Sequence, residues 1–156
     1  MIVAFLDEHE VGTVLEPPKN PHITVKKKFK LINISEDQLV CLLGHVLDLK
    51  KSLELELGSI TKFDSEDNKV IEVLNSKDWI ALHKNTIKLL GSKVESRDPH
   101  FEGENYYPHL TWKLKGEVNL EPERFVNRKF NLNYLYLIQR VDPVISRAKI
   151  IARFSI

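Results

Sequence analysis

Histidine is followed two residues later by threonine twice in this 156-residue chain, each time inside the same phrase. The copies read Pro21-His22-Ile23-Thr24-Val25-Lys26 and Pro108-His109-Leu110-Thr111-Trp112-Lys113. Chance pairing of the chain's histidines and threonines gives about 0.2 His-x-Thr, so two copies with matching flanks need a cause. Imidazole accepts or donates a proton near neutral pH, and a threonine hydroxyl can donate to an anionic oxygen. Doubled, the pair suits displacement at phosphorus. One histidine takes a proton from the attacking water or hydroxyl, and the other protonates the departing oxygen. The threonines hold non-bridging oxygens and nearby lysines offset their charge. Such chemistry calls for no metal and no cofactor.

The elements that position these groups are strands. Ile23 and Val25, like Leu110 and Trp112, alternate with polar neighbours, and successive strand side chains face opposite sides. Parity then predicts that His22, Thr24 and Lys26 share one face, as do His109, Thr111 and Lys113. Pro21 and Pro108 stiffen each strand entrance, where a missing N–H is tolerated. The same parity sets Tyr107 on the face of His109, which makes it a better candidate than Tyr106 for stacking on a base. Lys26, Lys113 and Tyr107 are therefore expected substrate contacts. Two strand histidines satisfied only by structural hydrogen bonds would not explain the repeated threonine. A zinc site would need Asp98, His100 or Glu102, whose spacing fits no metal motif.

Composition bounds the setting. The length suits one domain, with 42% hydrophobic residues. A net charge of +1 gives no basic surplus for gripping a long duplex. The Lys26-Lys27-Lys28-Phe29-Lys30 run is the local exception; it begins within the first motif and can raise the potential near a phosphate, and Lys28 and Lys30 can equally be a solvated strand face. The apolar Met1–Leu6 run ends at Asp7, so neither a signal peptide nor a membrane span is expected, and the cytoplasm is the default. The lone Cys41 excludes an internal disulfide and reads as core filling. A monomer is expected.

Along the chain, Ile2–Leu6 reads as a buried strand, and the first motif strand is expected to run to about Leu31. Ser35-Glu36-Asp37-Gln38 is a capping box that opens a helix over about 36–50. Strands follow at Leu53–Leu57 and Val70–Leu74. Ser76 is expected to cap a second helix whose buried face holds Trp79, Ile80, His83, Ile87 and Leu90, with Gly91 ending it. The polar segment from Ser92 to Asn105 leads into the second motif and can lie over the site. Phe130–Arg140 and Arg147–Phe154 form a closing hairpin that turns at Asp142-Pro143. This order is α+β, with two related lobes whose antiparallel-rich sheets, flanked by helices, face a shared cleft.

The two His-x-Thr motifs on such strands resemble those of the 2H phosphoesterase superfamily, especially its branch of 2′-5′ RNA ligase-like cyclic phosphodiesterases. The resemblance covers most of the chain, including Leu53–Phe63, Lys69–Leu74, Tyr107–Thr111 and the closing hairpin. It implies a bilobal fold with pseudo-two-fold symmetry and one motif strand from each interleaved lobe. It further implies metal-independent hydrolysis or transfer at 2′-linked or 2′,3′-cyclic phosphates of nucleotides or RNA ends. His22 and His109 become the catalytic pair, and Thr24 and Thr111 the phosphate binders. The segment from Asp7 to Asn20 is shorter than the helix many members carry there, which argues against carrying RNA ligation over. A module that grips a phosphate-bearing RNA end without turnover is the competing reading.

Overall fold

The computed structural model describes residues 1–47, 52–115, 117–142 and 147–156. In chain order the strands and helices are β1 (Ile2–Phe5), β2 (Val14–Leu15), β3 (His22–Lys26), β4 (Phe29–Leu31), α1 (Glu36–Leu47), β5 (Leu53–Phe63), β6 (Ser65–Val73), α2 (Ser76–Leu90), β7 (Val94–Ser96), β8 (His109–Leu114), β9 (Glu117–Val118), β10 (Lys129–Leu132), β11 (Tyr134–Arg140) and β12 (Ala148–Ser155). The architecture is α+β, with two helices and a mostly antiparallel sheet.

Nine of the ten strands of the main sheet run β10-β5-β6-β8-β3-β1-β11-β12-β2, and β9 adds to β8. A separate ribbon pairs β4 with β7. The two motif strands, β3 and β8, are thus adjacent at the middle of one sheet, where the sequence led us to expect two facing sheets. That sheet must bend sharply. Strands β10 and β11 lie six places apart, about 29 Å if the sheet were flat, yet only Asn133 joins them in sequence. The expected strand Phe130–Arg140 is therefore two strands that belong to opposite wings.

One face of the sheet carries Ile2, Ala4, Ile23, Val25, Leu55, Leu57, Ile71 and Leu110, packed with Leu39 and Leu43 of α1 and Trp79, Leu82 and Leu90 of α2. The other face holds a smaller cluster of Val3, Phe5, Tyr136, Ile138 and Ile150. In α1 the expected capping box forms, with Gln38 N–H donating to Ser35 Oγ at 3.2 Å and Ser35 N–H to Gln38 Oε1 at 2.9 Å. The helix ends at Leu47 among the described residues, and its expected continuation lies outside them. Cys41 is exposed rather than in the core. It sits about 200° around the helix from Leu39, so the stripe that buries Leu39 and Leu43 turns it outward.

The start and the buried stripe of α2 differ from expectation, and its end at Gly91 does not. Ser76 is its first residue and Asn75 the cap. Asn75 does not cap with its side chain, which instead accepts from Glu56 N–H at 2.9 Å and donates to the Glu54 carbonyl at 2.8 Å, tying the helix start to β5. The buried stripe is Trp79, Leu82, His83, Thr86 and Leu90, and Ile80 and Ile87 lie at its margin. Gly91 ends the helix at φ +45°, a conformation that favours glycine. Pro143 of the expected hairpin turn lies outside the described residues, while β11 and β12 pair from Tyr134↔Ser155 to Arg140↔Ala148. Among the described residues, no helix is long and apolar enough to cross a membrane.

Candidate active site

The motif strands meet at Ile23↔Leu110 in antiparallel register. One step to either side, that register sets Thr24 opposite His109 and His22 opposite Thr111, all four on the face away from Ile23 and Leu110. Each histidine thereby neighbours the other motif's threonine. Directly opposed residues hold their Cβ atoms about 5 Å apart, within reach of one phosphate group.

Both imidazoles are pinned in the same way. His22 Nδ1–H donates to the Asn20 carbonyl at 2.7 Å, and His109 Nδ1–H donates to the Tyr107 carbonyl at 2.7 Å. A carbonyl only accepts, so the proton of each neutral ring sits on Nδ1 and the lone pair on Nε2. The proline between each carbonyl and histidine restrains the residue before it to extended backbone and fixes the acceptor. This gives the repeated Pro-His pair a physical role. Among the described residues, His109 Nε2 and the hydroxyls of Thr24 and Thr111 have no hydrogen-bond partner, while the His22 ring has the Pro17 carbonyl as a second neighbour.

Burial pulls the His22 pKa below its ordinary value, against the carbonyls of Asn20 and Pro17 that favour the charged ring. His109 is lowered to about 4, chiefly by burial and further by the positive charges of Lys27 and His22, against its bond to the Tyr107 carbonyl. Both rings are therefore neutral near pH 7 and ready to accept a proton. A phosphate anion set between them would favour their charged forms and so supply the acid.

The lysines that parity assigned to this face are elsewhere. In β3, Thr24 pairs with Val3 but Lys26 pairs with Ile2, so Val25 is an extra residue. In β8, Thr111 pairs with Val70 but Lys113 pairs with Lys69, so Trp112 is extra. A bulge at the same place in both motifs turns the next side chain to the opposite face. Lys26 is only 2% exposed, and its Nζ bonds Ser96 Oγ at 3.1 Å and Glu102 in a buried ion pair. Lys113 lies across from Lys69, half-buried on the core side of the sheet. Neither reaches the histidine face. The bulged carbonyls are satisfied from outside the strands. Val25 accepts from His83 Nδ1–H at 2.7 Å, and Trp112 from Asn119 N–H at 2.8 Å.

His83, read from the sequence as a helix-face residue, is a buried peg. Its Nε2 accepts from Gly103 N–H at 3.0 Å and its ring stacks on Tyr106 at 3.8 Å. Tyr106 OH donates to the Thr24 carbonyl at 2.9 Å, so Tyr106 anchors the fold, and burial pushes its pKa up. Tyr107 does stand beside the site, 38% exposed, with its ring centroid 6.0 Å from that of His109. Phe63, at the end of β5 before the turn at Asp64, lies 4.4 Å from the His109 ring. Phe63 and Phe101 had no signal in the sequence beyond their residue types, and Lys27 had only its place in the lysine run.

Two spaces adjoin the four motif residues. Thr24 and His109 line a cavity of about 20 Å³ with Lys27, Phe63, Phe101 and Tyr107. His22 and Thr111 border a groove of about 680 Å³ whose wall includes Lys28, Lys30 and Arg97. The segment before β8 does lie over the site, through Phe101, Glu102 and Asn105. Asp98, His100 and Glu102 do not converge. Among the described residues, no three His, Cys, Asp or Glu side chains cluster to hold a metal. Compared with models of known protein families the chain matches none, and no curated protein matches it.

Proposed function

We propose that this chain is a two-histidine phosphoesterase of the 2H type, acting without a metal on 2′-linked or 2′,3′-cyclic phosphates of nucleotides or RNA ends. The carrying observation is the antiparallel meeting of the motif strands at Ile23↔Leu110, which by alternation sets Thr24 towards His109 and His22 towards Thr111, with Nδ1 of each histidine pinned. A phosphorus atom between the strands would have one Nε2 on its attacking side and one on its leaving side. The threonine hydroxyls would donate to its non-bridging oxygens. The bent sheet supports the bilobal part of the reading. Going outward from the centre, β3 is followed by β1 and β11, and β8 by β6 and β5, and each motif strand has a bulge at its third residue past histidine. The groove beside His22 has the volume of a nucleotide site, and Lys28, Lys30 and Arg97 suit its further phosphates.

Hydrolysis of a nucleoside 2′,3′-cyclic phosphate in excess chelator is the direct test. Chelator-resistant turnover with a bell-shaped pH profile is expected, and dependence on added metal would refute the mechanism. A pure binding module would show no turnover in the wild type, while His22→Ala kept its affinity for RNA ends.

A further inference from the structure

Lys27 stands outside the repeated phrase, and the matching place after the second copy is Leu114. Beyond the Val25 bulge the chain leaves β3 and turns the Lys27 side chain over the histidine face, where its Nζ lies 3.4 Å from the centroid of the Phe101 ring. It lines the same small cavity as Thr24 and His109. The side chain is half-buried and has no ion-pair partner among the described residues. Asp98, Asp64 and Glu102 act on it only from farther off, Lys28 opposes them, and burial is the largest influence, lowering its pKa. Glu102 is already held by Lys26 and Ser96. A cavity of about 20 Å³ has room for one oxygen-sized group. A half-buried cation, a hydroxyl and an imidazole nitrogen, none with a hydrogen-bonding or ion-pair partner among the described residues, thus surround a space of that size.

We propose that Lys27 is an additional substrate-binding residue, whose ammonium pairs with a non-bridging phosphate oxygen seated in the Thr24–His109 half of the site. The inference rests on the phosphoesterase reading for its substrate, but the anion site itself does not require turnover. It gives the closed half of the site a cation of its own, apart from Lys28, Lys30 and Arg97 along the groove of the other half. The repeated motif supplies two equivalent histidines and threonines, and Lys27, which lines only the Thr24–His109 cavity, marks that half as the one that receives this phosphate oxygen.

The test compares wild type with Lys27→Met, Lys27→Arg and, as a control for net charge, Lys88→Met on the exposed side of α2. Two quantities are read: kcat/KM for a nucleoside 2′,3′-cyclic phosphate, and the His109 ring-proton NMR signal titrated with pH and with inorganic phosphate. Lys27→Met is expected to lose about 10²-fold in kcat/KM. It should abolish the response of His109 to phosphate and raise the His109 pKa, because a neighbouring positive charge is gone. Lys27→Arg should keep both responses and Lys88→Met should resemble wild type. Lys27→Gln serves as the uncharged variant if the methionine form does not fold. A kcat/KM within threefold of wild type together with an unchanged phosphate response would overturn the inference while leaving the reaction intact. If the wild type turns over no cyclic phosphate but phosphate still moves His109 in a Lys27-dependent way, the anion site stands and the reaction fails.

Discussion

The two halves of the site are built from the same residues and differ in what surrounds them. Thr24 and His109 face a cavity of about 20 Å³ closed by aromatic rings and Lys27, while His22 and Thr111 face a groove of about 680 Å³. A repeated motif fixes the reacting groups but not their environment. The environment comes from Phe63 on the β5–β6 hairpin, from Phe101 in the segment before β8, and from the chain beyond each bulge. The closed half is also the tethered one, because Lys26, Glu102, His83 and Tyr106 all brace it.

The largest effect expected is catalytic and tests whether the halves share one reaction. His22→Ala and His109→Ala should each lower kcat by about 10²–10⁴-fold with little loss of stability. A drop of less than threefold in either would mean that its half is a bystander. Next comes the tether. Glu102→Gln leaves Lys26 buried without its counter-charge and should cost about 3–5 kcal/mol in urea unfolding. Lys113→Met, in the matching place near the open half, should stay within about 0.5 kcal/mol. Equal losses would erase the asymmetry.

The crossed pairing predicts a subtler pattern. Thr24→Val and Thr111→Val should each lower kcat/KM by about tenfold, through one lost hydrogen bond to a charged group. In double-mutant cycles, Thr24 should couple to His109 and Thr111 to His22, more strongly than either threonine couples to the histidine of its own strand. Stronger coupling within a strand would break the register argument. The smallest effect is on pH dependence. The lowered pKa of His109 in the folded state means that the unfolded chain binds its proton first as pH falls. The stability from the neutral ring is complete above about pH 6.5. It is lost as pH falls towards about 4. His109→Asn should flatten part of the fall in urea midpoint across that window, and an unchanged slope would mean that the ring is not buried in solution.

Alternation and local chemistry are the properties that a sequence encodes most directly. Parity alone sets His22 with Thr24 and His109 with Thr111, each pair on one face of its own strand, and Ser35 and Gln38 announce their capping box; that the two strands are neighbours is set by the sheet. Lys26 and Lys113 escape the same parity because Val25 and Trp112 are ordinary strand residues, and nothing in their type marks a bulge. Only cross-strand register reveals one. The strand Phe130–Arg140 reads as continuous because Asn133 is a single polar residue within an apolar run, and its division is set by the sheet's curvature. Composition misplaces Cys41, although the helical angle from Leu39 already turns it to solvent. Lys27 is hidden as one lysine of a run, since its partners come from the Asp98–Asn105 side of the molecule.

The single-residue link at Asn133 has a consequence for how the molecule can be divided. One wing of the sheet draws β5 and β6 from the first half of the chain and β8 and β10 from the second, and the other wing draws β1, β2 and β3 from the first and β11 and β12 from the second. A cut after Gly91 would therefore separate two fragments that each carry one motif histidine and parts of both wings. Neither fragment alone could complete a wing. Mixed together, they would have to thread strands alternately to rebuild the centre, so activity regained on mixing would report assembly of the whole sheet rather than the meeting of two finished halves.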